Sequence, residues 1–221
     1  MLKSRLCIAF FAFAVGCAPA QKPLTDYVNP MLGTATLWDS VDLGFKPTKR
    51  TWGAEVFPGS SLPNAMVQVS PVTKFHSGAG YQYEDSVIYG FTHTNKGHWN
   101  LCHIPLLPVT GTPTPGDYCS PFSHERESAA PGYYQVFLDR YGVDAQLSST
   151  LRCAFHKYTY PAGAAASLLA DLQRSNEHVR AWDIRKEGDN VFAGWQQTGE
   201  KMYFYAVANR PVTGIEPVVE G

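Results

Sequence analysis

The segment 92–100, which reads THTNKGHWN, carries the most varied polar chemistry in the chain. It follows an apolar run, contains one glycine for a tight turn, and combines imidazole, amide and hydroxyl groups with a single indole. An indole ring can pack on the C–H face of a sugar while polar groups bond to its hydroxyls. The segment is therefore compatible with carbohydrate binding, with Trp99 as the packing surface. An ordinary polar loop around a buried tryptophan is the alternative.

Metal binding and nucleophilic catalysis find little support in the sequence. His93, His98 and His103 are evenly spaced, but this spacing does not place two ligands on one helical face, and no carboxylate lies among them. Cys102 directly precedes His103, and adjacent residues of a strand point to opposite faces, so they do not form a nucleophile and its base. The sequence contains neither a Gly-x-Ser-x-Gly elbow nor a phosphate-binding glycine loop. We therefore expect neither chemistry from this chain.

A glycosidase needs two carboxyl groups, one as general acid and the other as base or nucleophile. The candidates are Asp39, Asp42, Glu55, Glu84, Asp85, Glu125 and Glu127. The first three lie in long early loops, where functional residues concentrate. The last four have the sequence context of solvated turn residues. We assign none of them as catalytic, because the sequence does not give their separation in space.

The elements that position these residues are predicted to be short strands. The chain is 13% aromatic and only 17% charged, with 19 Gly and 16 Pro in 221 residues, a composition that favours strands and structured loops over long helices. Charged residues of both signs are mixed along the chain and give a net charge of −1, so nothing indicates a nucleic-acid partner. Strands are predicted over residues 65–70, 87–92, 104–109, 133–138, 145–151, 154–160, 181–185, 191–197 and 201–209, and residues 167–172 form either a strand or the start of a helix.

Turn chemistry between these strands indicates the architecture. Residues 186–190 (KEGDN) are typical of a hairpin turn, whereas Pro105 and Pro108 reduce the strand over 104–109 to an edge strand at best. Many short strands separated by turns predict an all-β fold, an antiparallel β-sandwich with long loops and little helix.

The first 20 residues have the pattern of a signal peptide. Lys3 and Arg5 precede an apolar run too short to span a membrane, and residues 18–20 (APA) suit a signal peptidase. Cys17 follows a sequence similar to a bacterial lipoprotein box, which would end the signal at Gly16 and lipidate Cys17. Both cleavage sites stay open. In either case the protein is expected to be periplasmic, extracellular or anchored by lipid to a bacterial outer membrane.

Three further cysteines, Cys102, Cys119 and Cys153, follow the signal region. An odd number argues against a disulfide framework, although Cys102 and Cys119 could pair across the intervening loop.

Four ordered blocks resemble the N-terminal β-sandwich domain of glycoside hydrolase family 92. In chain order they are residues 27–34 (YVNPMLGT), 57–59 with 66–71 (FPG and MVQVSP), 80–83 with 88–94 (GYQY and IYGFTHT), and 122–125 with 130–134 (FSHE and APGYY). The resemblance runs from Tyr27 to Asn209, and several blocks in order are more specific than any single motif.

This resemblance implies part of an exo-acting, inverting, calcium-dependent α-mannosidase of bacterial glycan breakdown. In that family the sugar lies between the sandwich and a C-terminal (α/α)₆ barrel that carries the acid, the base and the calcium ligands. Residues 21–221 would then be the sandwich, with the barrel absent from this chain and neither catalytic residue nor calcium ligand expected in it. The implied partners are α-mannosides or mannose-containing glycans and the barrel itself. By position, the substrate-binding candidates are His93, His98, Trp99 and Asn100.

Two departures from the family pattern concern the loops that would shape the outer pocket. Residues 95–99 (NKGHW) stand where many members have a Ser-Gly-containing stretch, and the loop over residues 35–52 is longer than expected. Both leave the linkage specificity open. A free-standing carbohydrate-binding module and a purely structural sandwich are the alternative functions.

Overall fold

The structure is a computed structural model that describes residues 22–36, 54–96 and 99–218. In these ranges the helical elements are two short 3-10 turns, Leu24–Tyr27 and His124–Arg126. Neither has the length or the hydropathy to span a bilayer. The strands are β1 Ser70–Val72, β2 Val87–Ile88, β3 Gly90–Thr92, β4 Asn95–Lys96, β5 Trp99–Asn100, β6 Leu106–Thr110, β7 Ser120–Pro121, β8 Glu127–Ala130, β9 Tyr133–Leu138, β10 Val143–Ser149, β11 Ala154–Thr159, β12 Ala166–Ala170, β13 Ala181–Gly188, β14 Val191–Gln197 and β15 Lys201–Val207.

Two four-stranded antiparallel sheets form the sandwich. One has the strand order β1-β3-β6-β12 and the other β11-β10-β9-β8. Strand β9 alternates buried Tyr134, Val136 and Leu138 with partly exposed residues, so one face of the second sheet is apolar. These side chains share a buried cluster with Phe91 and Leu107 of the first sheet. Burial of this common face holds the sheets together and confirms the predicted all-β sandwich.

A third sheet, β13-β14-β15, covers one end of the first sheet. Its inner side packs Phe204 and neighbouring apolar residues against Leu106 and Leu172. Its last strand, β15, leaves Tyr203, Tyr205 and Val207 exposed on the other side. Two small antiparallel pairs, β2 with β7 and β4 with β5, complete the described topology.

The prediction that residues 104–109 form at most an edge strand is wrong, because β6 lies between β3 and β12. Pro108 fits there for a geometric reason. Hydrogen-bonded pairs alternate along an antiparallel ladder, and the bond from Gly111 N to Ala165 O places Pro108 opposite Leu168 in a pair without hydrogen bonds. The proline nitrogen therefore points away from β12, towards β3, which pairs with β6 only at Leu106.

The predicted strand over residues 65–70 is also wrong for most of its length. Asn64 has φ 59°, and successive backbone groups bond to unrelated segments: Met66 N to Leu151 O, and Gln68 N to His93 O. Scattered single hydrogen bonds do not make a ladder, so β1 begins only at Ser70.

The predicted strand over residues 87–92 divides at Tyr89. Its first half pairs with β7, and its second half pairs with β1 and β6.

The three described cysteines, Cys102, Cys119 and Cys153, are free, so the possible bond between Cys102 and Cys119 is not formed.

Candidate functional site

Strands β4 and β5 form a small hairpin that presents Trp99 at the surface. Lys96 pairs with Trp99, and Asn95 pairs with Asn100. Because successive residues of a strand face opposite sides, the two residues of β5 differ sharply: Trp99 is 55% exposed, whereas Asn100 is 1% exposed. The alternative of a buried tryptophan is therefore wrong. His98, another predicted site residue, lies outside the described residues.

The side chain of Asn100 points into the protein and supports the hairpin from inside. Its Oδ1 accepts hydrogen bonds from Thr92 Oγ1 at 3.2 Å and from Cys102 N at 2.8 Å. Its Nδ2 has no hydrogen-bond partner among the described residues, and a Cβ added to Gly80 would lie 2.5 Å from that atom. Contact between Asn100 and a ligand stays a prediction.

His93, a further predicted site residue, belongs to an internal chain of hydrogen bonds. Its Nδ1 lies 2.9 Å from Ile104 O, its Nε2 lies 3.0 Å from Nε2 of His156, and Nδ1 of His156 lies 2.7 Å from the Tyr158 hydroxyl. A carbonyl oxygen can only accept, so Nδ1 of His93 carries the hydrogen and its Nε2 accepts from His156. His156 Nδ1 then accepts from Tyr158, and both imidazoles are neutral.

Burial keeps these two imidazoles neutral. Desolvation lowers the pKa of His93 to about 4 and lowers the pKa of His156 well below its ordinary value. Desolvation likewise raises the pKa of the Tyr158 hydroxyl, which therefore retains its proton and donates it. A proton added to either imidazole would place a positive charge in this desolvated interior, which is the main reason that both rings stay neutral.

The chain of hydrogen bonds ends on a residue with unusual backbone geometry. Ile104 has φ 52°, in the left-handed region that β-branched residues rarely adopt. Its N–H donates to Oε1 of the fully buried Gln196 at 2.9 Å, while its carbonyl accepts from His93. These bonds on both sides hold the turn that directs the preceding residue, His103, beneath the hairpin.

His103 is buried and connects the hairpin to a carboxylate that the sequence did not single out. Its Nδ1 lies 2.9 Å from Thr94 Oγ1, and its Nε2 lies 3.0 Å from Oε2 of Glu177 and 3.2 Å from Thr198 Oγ1. Desolvation lowers the pKa of His103, so the ring is neutral near pH 7. Since the carboxylate only accepts, the ring hydrogen lies on Nε2, and Thr94 donates to Nδ1.

Residues 175–177 bind the hairpin to the body of the domain. Asn176 Nδ2 donates to Asn100 O at 2.6 Å, and Asn176 N donates to Leu101 O at 3.1 Å. The same side chain accepts from His76 N at 2.5 Å, and Ser175 Oγ donates to Leu101 O at 3.2 Å. Glu177 and Trp99 therefore lie on segments joined by short hydrogen bonds.

A second polar cluster lies inside the sandwich, around Glu127. Its carboxylate, 2% exposed, accepts from the hydroxyls of Tyr81 at 2.9 Å and Tyr134 at 2.6 Å. His124 Nδ1 lies 2.5 Å from the carboxylate, and His124 Nε2 lies 2.7 Å from Tyr83 O. The His124 ring therefore bridges the Glu127 carboxylate and the Tyr83 carbonyl. The interpretation of Glu127 as a solvated turn residue is wrong.

The remaining described candidate carboxylates are either exposed or bonded to a neighbouring threonine. Glu55 and Glu125 are exposed, Glu84 accepts from Thr36 N at 2.8 Å, and Asp85 accepts from Thr73 Oγ1 at 2.7 Å. Asp39 and Asp42 lie outside the described residues.

No group of three or more His, Cys, Asp or Glu side chains in the described ranges is placed to hold a metal ion.

The chain is similar to members of one family in sequence and in structure. Residues 27–220 match the model of the glycosyl hydrolase family 92 N-terminal domain. The family GH92 α-mannosidase BT3965 from Bacteroides thetaiotaomicron superposes with a TM-score of 0.74 at 28% identity, over 87% of this chain and 27% of that one. Its complex with mannoimidazole gives a TM-score of 0.73. The family GH92 inverting mannosidase BT2199 of the same bacterium gives 0.65 at 23% identity, over 84% of this chain and 25% of that one.

No curated protein matches the chain. The chain spans about a quarter of the length of the mannosidase structures that it resembles.

Proposed function

Because the chain belongs to the glycosyl hydrolase family 92 N-terminal domain family, we propose that it supplies one wall of the mannoside site of an α-mannosidase. The observation that carries this proposal is Trp99, an indole held at the surface of a small hairpin that is bonded to the domain from below. A rigid exposed indole offers a flat apolar surface for the C–H face of a pyranose ring. The likeness to a mannosidase structure with bound mannoimidazole supports a mannoside as the sugar.

The other three predicted residues take different parts in this proposal. His98 adjoins Trp99 in the sequence and would contribute an imidazole beside the indole. His93 and Asn100 would act from inside, through the bonds that fix the shape of the hairpin and of the turn before β6.

Catalysis is proposed to come from elsewhere in the whole enzyme. We propose that a C-terminal barrel domain carries the acid, the base and the calcium ligands of an exo-acting, inverting reaction. An inverting mechanism needs two carboxyl groups roughly 6.5–9.5 Å apart around a water, and the sandwich on its own is expected to show no turnover. The exposed Tyr203, Tyr205 and Val207 of β15 support the idea that another domain covers part of this surface.

Export is part of the same proposal. The signal-like residues 1–20, with Cys17 as a possible lipidated residue, favour a periplasmic, extracellular or outer-membrane-anchored enzyme that meets glycans outside the cytoplasm.

Calorimetry with methyl α-mannoside and α-linked mannobioses tests the binding proposal on the whole chain. The wild type should give heat of binding, and Trp99→Ala should weaken the affinity by about tenfold or more, since loss of a stacking surface removes about 1.4 kcal/mol or more. Trp182→Ala is the matched control, because Trp182 is 42% exposed on β13 in a different sheet.

Three results would count against the proposal. Absence of heat with every mannoside, in a chain shown to be folded, would favour a purely structural sandwich. Measurable mannosidase turnover by the chain in the presence of calcium would contradict the placement of the catalytic groups in another domain. Binding that does not depend on Trp99 would move the site away from the hairpin.

A further inference from the structure

Glu177 lies beside the hairpin that carries Trp99 and is held there by buried partners. His103 Nε2 donates to Glu177 Oε2 at 3.0 Å, and Thr198 Oγ1 donates to the same oxygen at 2.7 Å. The His103 side chain is 4% exposed, whereas the Glu177 side chain is 43% exposed. The carboxylate is thus fixed from the protein side and open to solvent on the other side.

All hydrogen bonds to this carboxylate within the described residues end on one oxygen. Both donors share Oε2, so Oε1 retains its capacity to accept. Three effects lower the pKa of Glu177: the hydrogen bond from Thr198 is the largest, followed by the bond from His103 and then by the charge of Lys96. Desolvation opposes them. The Glu177 side chain is therefore an anion at the neutral pH at which sugar binding would be measured.

The carboxylate and the indole share one edge of the domain. Lys96, whose charge acts on Glu177, is the cross-strand partner of Trp99. Asn176, the residue before Glu177, donates to the backbone of Asn100, the residue after Trp99, at 2.6 Å. A flat ring and a fixed acceptor on segments bonded to each other are a combination that suits a pyranoside, with one C–H face for packing and hydroxyls for donation.

We propose that Glu177 is a second sugar-contacting residue, whose carboxylate accepts hydroxyl hydrogens of the pyranoside that packs on Trp99. His103 and Thr198 are positioning residues in this arrangement, because they act on the sugar only through the carboxylate. The inference rests on the proposed function, since it names a further contact within the same site. Charge-assisted hydrogen bonds are stronger than neutral ones, so the contribution to affinity should be measurable.

The test is calorimetric titration of the whole chain with methyl α-mannoside and α-mannobioses, using Glu177→Gln and the control Glu125→Gln. Glutamine keeps the shape and an acceptor oxygen but loses the charge, and Glu125 is an exposed glutamate in the turn before β8. We expect Glu177→Gln to weaken binding by about tenfold and Glu125→Gln to leave it unchanged. Glu177→Asp keeps the charge but withdraws it by one methylene, and should weaken binding as well.

Indole resonances of the sugar-free protein separate contact from support. Unchanged Trp99 indole signals in Glu177→Gln, together with weaker binding, support the proposal. Shifted indole signals without sugar would assign Glu177 to holding the hairpin and would overturn it. Wild-type affinity in Glu177→Gln, with binding lost in Trp99→Ala, would overturn this inference and leave the proposed function standing. Failure of the wild type to bind any of these sugars would overturn both.

Discussion

Acid should destabilise this domain through the buried pair His93 and His156. In the folded state the two rings share one hydrogen between their Nε2 atoms, which lie 3.0 Å apart, while the Nδ1 of His93 is bonded to Ile104 O and that of His156 to Tyr158. Both rings are buried, and desolvation disfavours an additional positive charge on either of them. The unfolded chain has no such restriction, so it takes up protons that the folded chain refuses.

The size of the effect follows from the two pKa values of His93. Above pH 6.5 neither the folded nor the unfolded chain binds a proton at His93, and the free energy of unfolding is at its full value. As the pH falls from about 6.5 to about 4, only the unfolded state is protonated and the free energy of unfolding decreases. At about 1.4 kcal/mol per pH unit, this interval corresponds to a loss of about 3 kcal/mol from His93 alone. The pKa of His156 is lowered in the same direction and adds to the loss.

Urea unfolding followed by circular dichroism between about pH 7.5 and about pH 4.5 measures this dependence. His93→Gln retains one donor and one acceptor but does not titrate, so its stability should depend on pH less steeply, by about 1.4 kcal/mol per pH unit in the lower part of this range. His178→Gln is the matched control, since His178 is exposed. Equal slopes in the wild type and His93→Gln would refute the reasoning, as would a His93 ring that titrates near pH 6.5 in nuclear magnetic resonance spectra.

Two other substitutions test the interior of the sandwich by urea unfolding. Glu127→Ala should lower the free energy of unfolding by about 2–4 kcal/mol, because it leaves two buried hydroxyls and the His124 ring without their acceptor. Glu125→Ala should change little, and similar losses in both would contradict this role. Gly59→Ala should cost about 1–3 kcal/mol or more, because the added Cβ would lie 2.0 Å from Val69 O. Gly199→Ala, where a Cβ meets nothing within 4 Å, is its control, and an unaffected Gly59→Ala would show that the backbone there can move.

The regular part of the fold was predictable because local signals and packing agree. Strand β9 matches its predicted limits of 133–138, and its buried residues alternate with partly exposed ones. Strand β14 matches its predicted limits of 191–197, because the turn sequence at 186–190 sets its start. In both cases local sequence signals determine the strand without reference to distant residues.

The errors occur where distant residues decide the outcome. Residues 65–70 have the apolar character of a strand but bond singly to Leu151 and His93, far away in the sequence. Strand β8 was not predicted, because its sequence ESAA contains neither β-branched nor aromatic residues. Its first residue, Glu127, is buried only because two tyrosines and an imidazole from other segments converge on it.

In the candidate site, too, one residue was identified from the sequence and another was not. Trp99 was identified from composition and from the family blocks, and the structure shows the exposed ring that this prediction needs. Glu177 was not identified, because 81 positions of chain separate it from Lys96 and only the fold brings the two charges together. A carboxylate that accepts from a buried histidine in another loop leaves no pattern in a linear sequence.

Three other described carboxylates accept hydrogen bonds from side chains of the domain itself. Glu127 is enclosed by donors, Asp85 accepts from Thr73, and Asp171 is bonded to Tyr118. A carboxylate committed to internal donors is poorly suited to exchange protons with a substrate, because catalysis would break the bonds that hold the fold. Glu177 differs, since its partners occupy one oxygen and solvent reaches the rest of the group. In the site that we propose, this fixed anion and the exposed indole of Trp99 would bind and orient a sugar without taking part in bond cleavage.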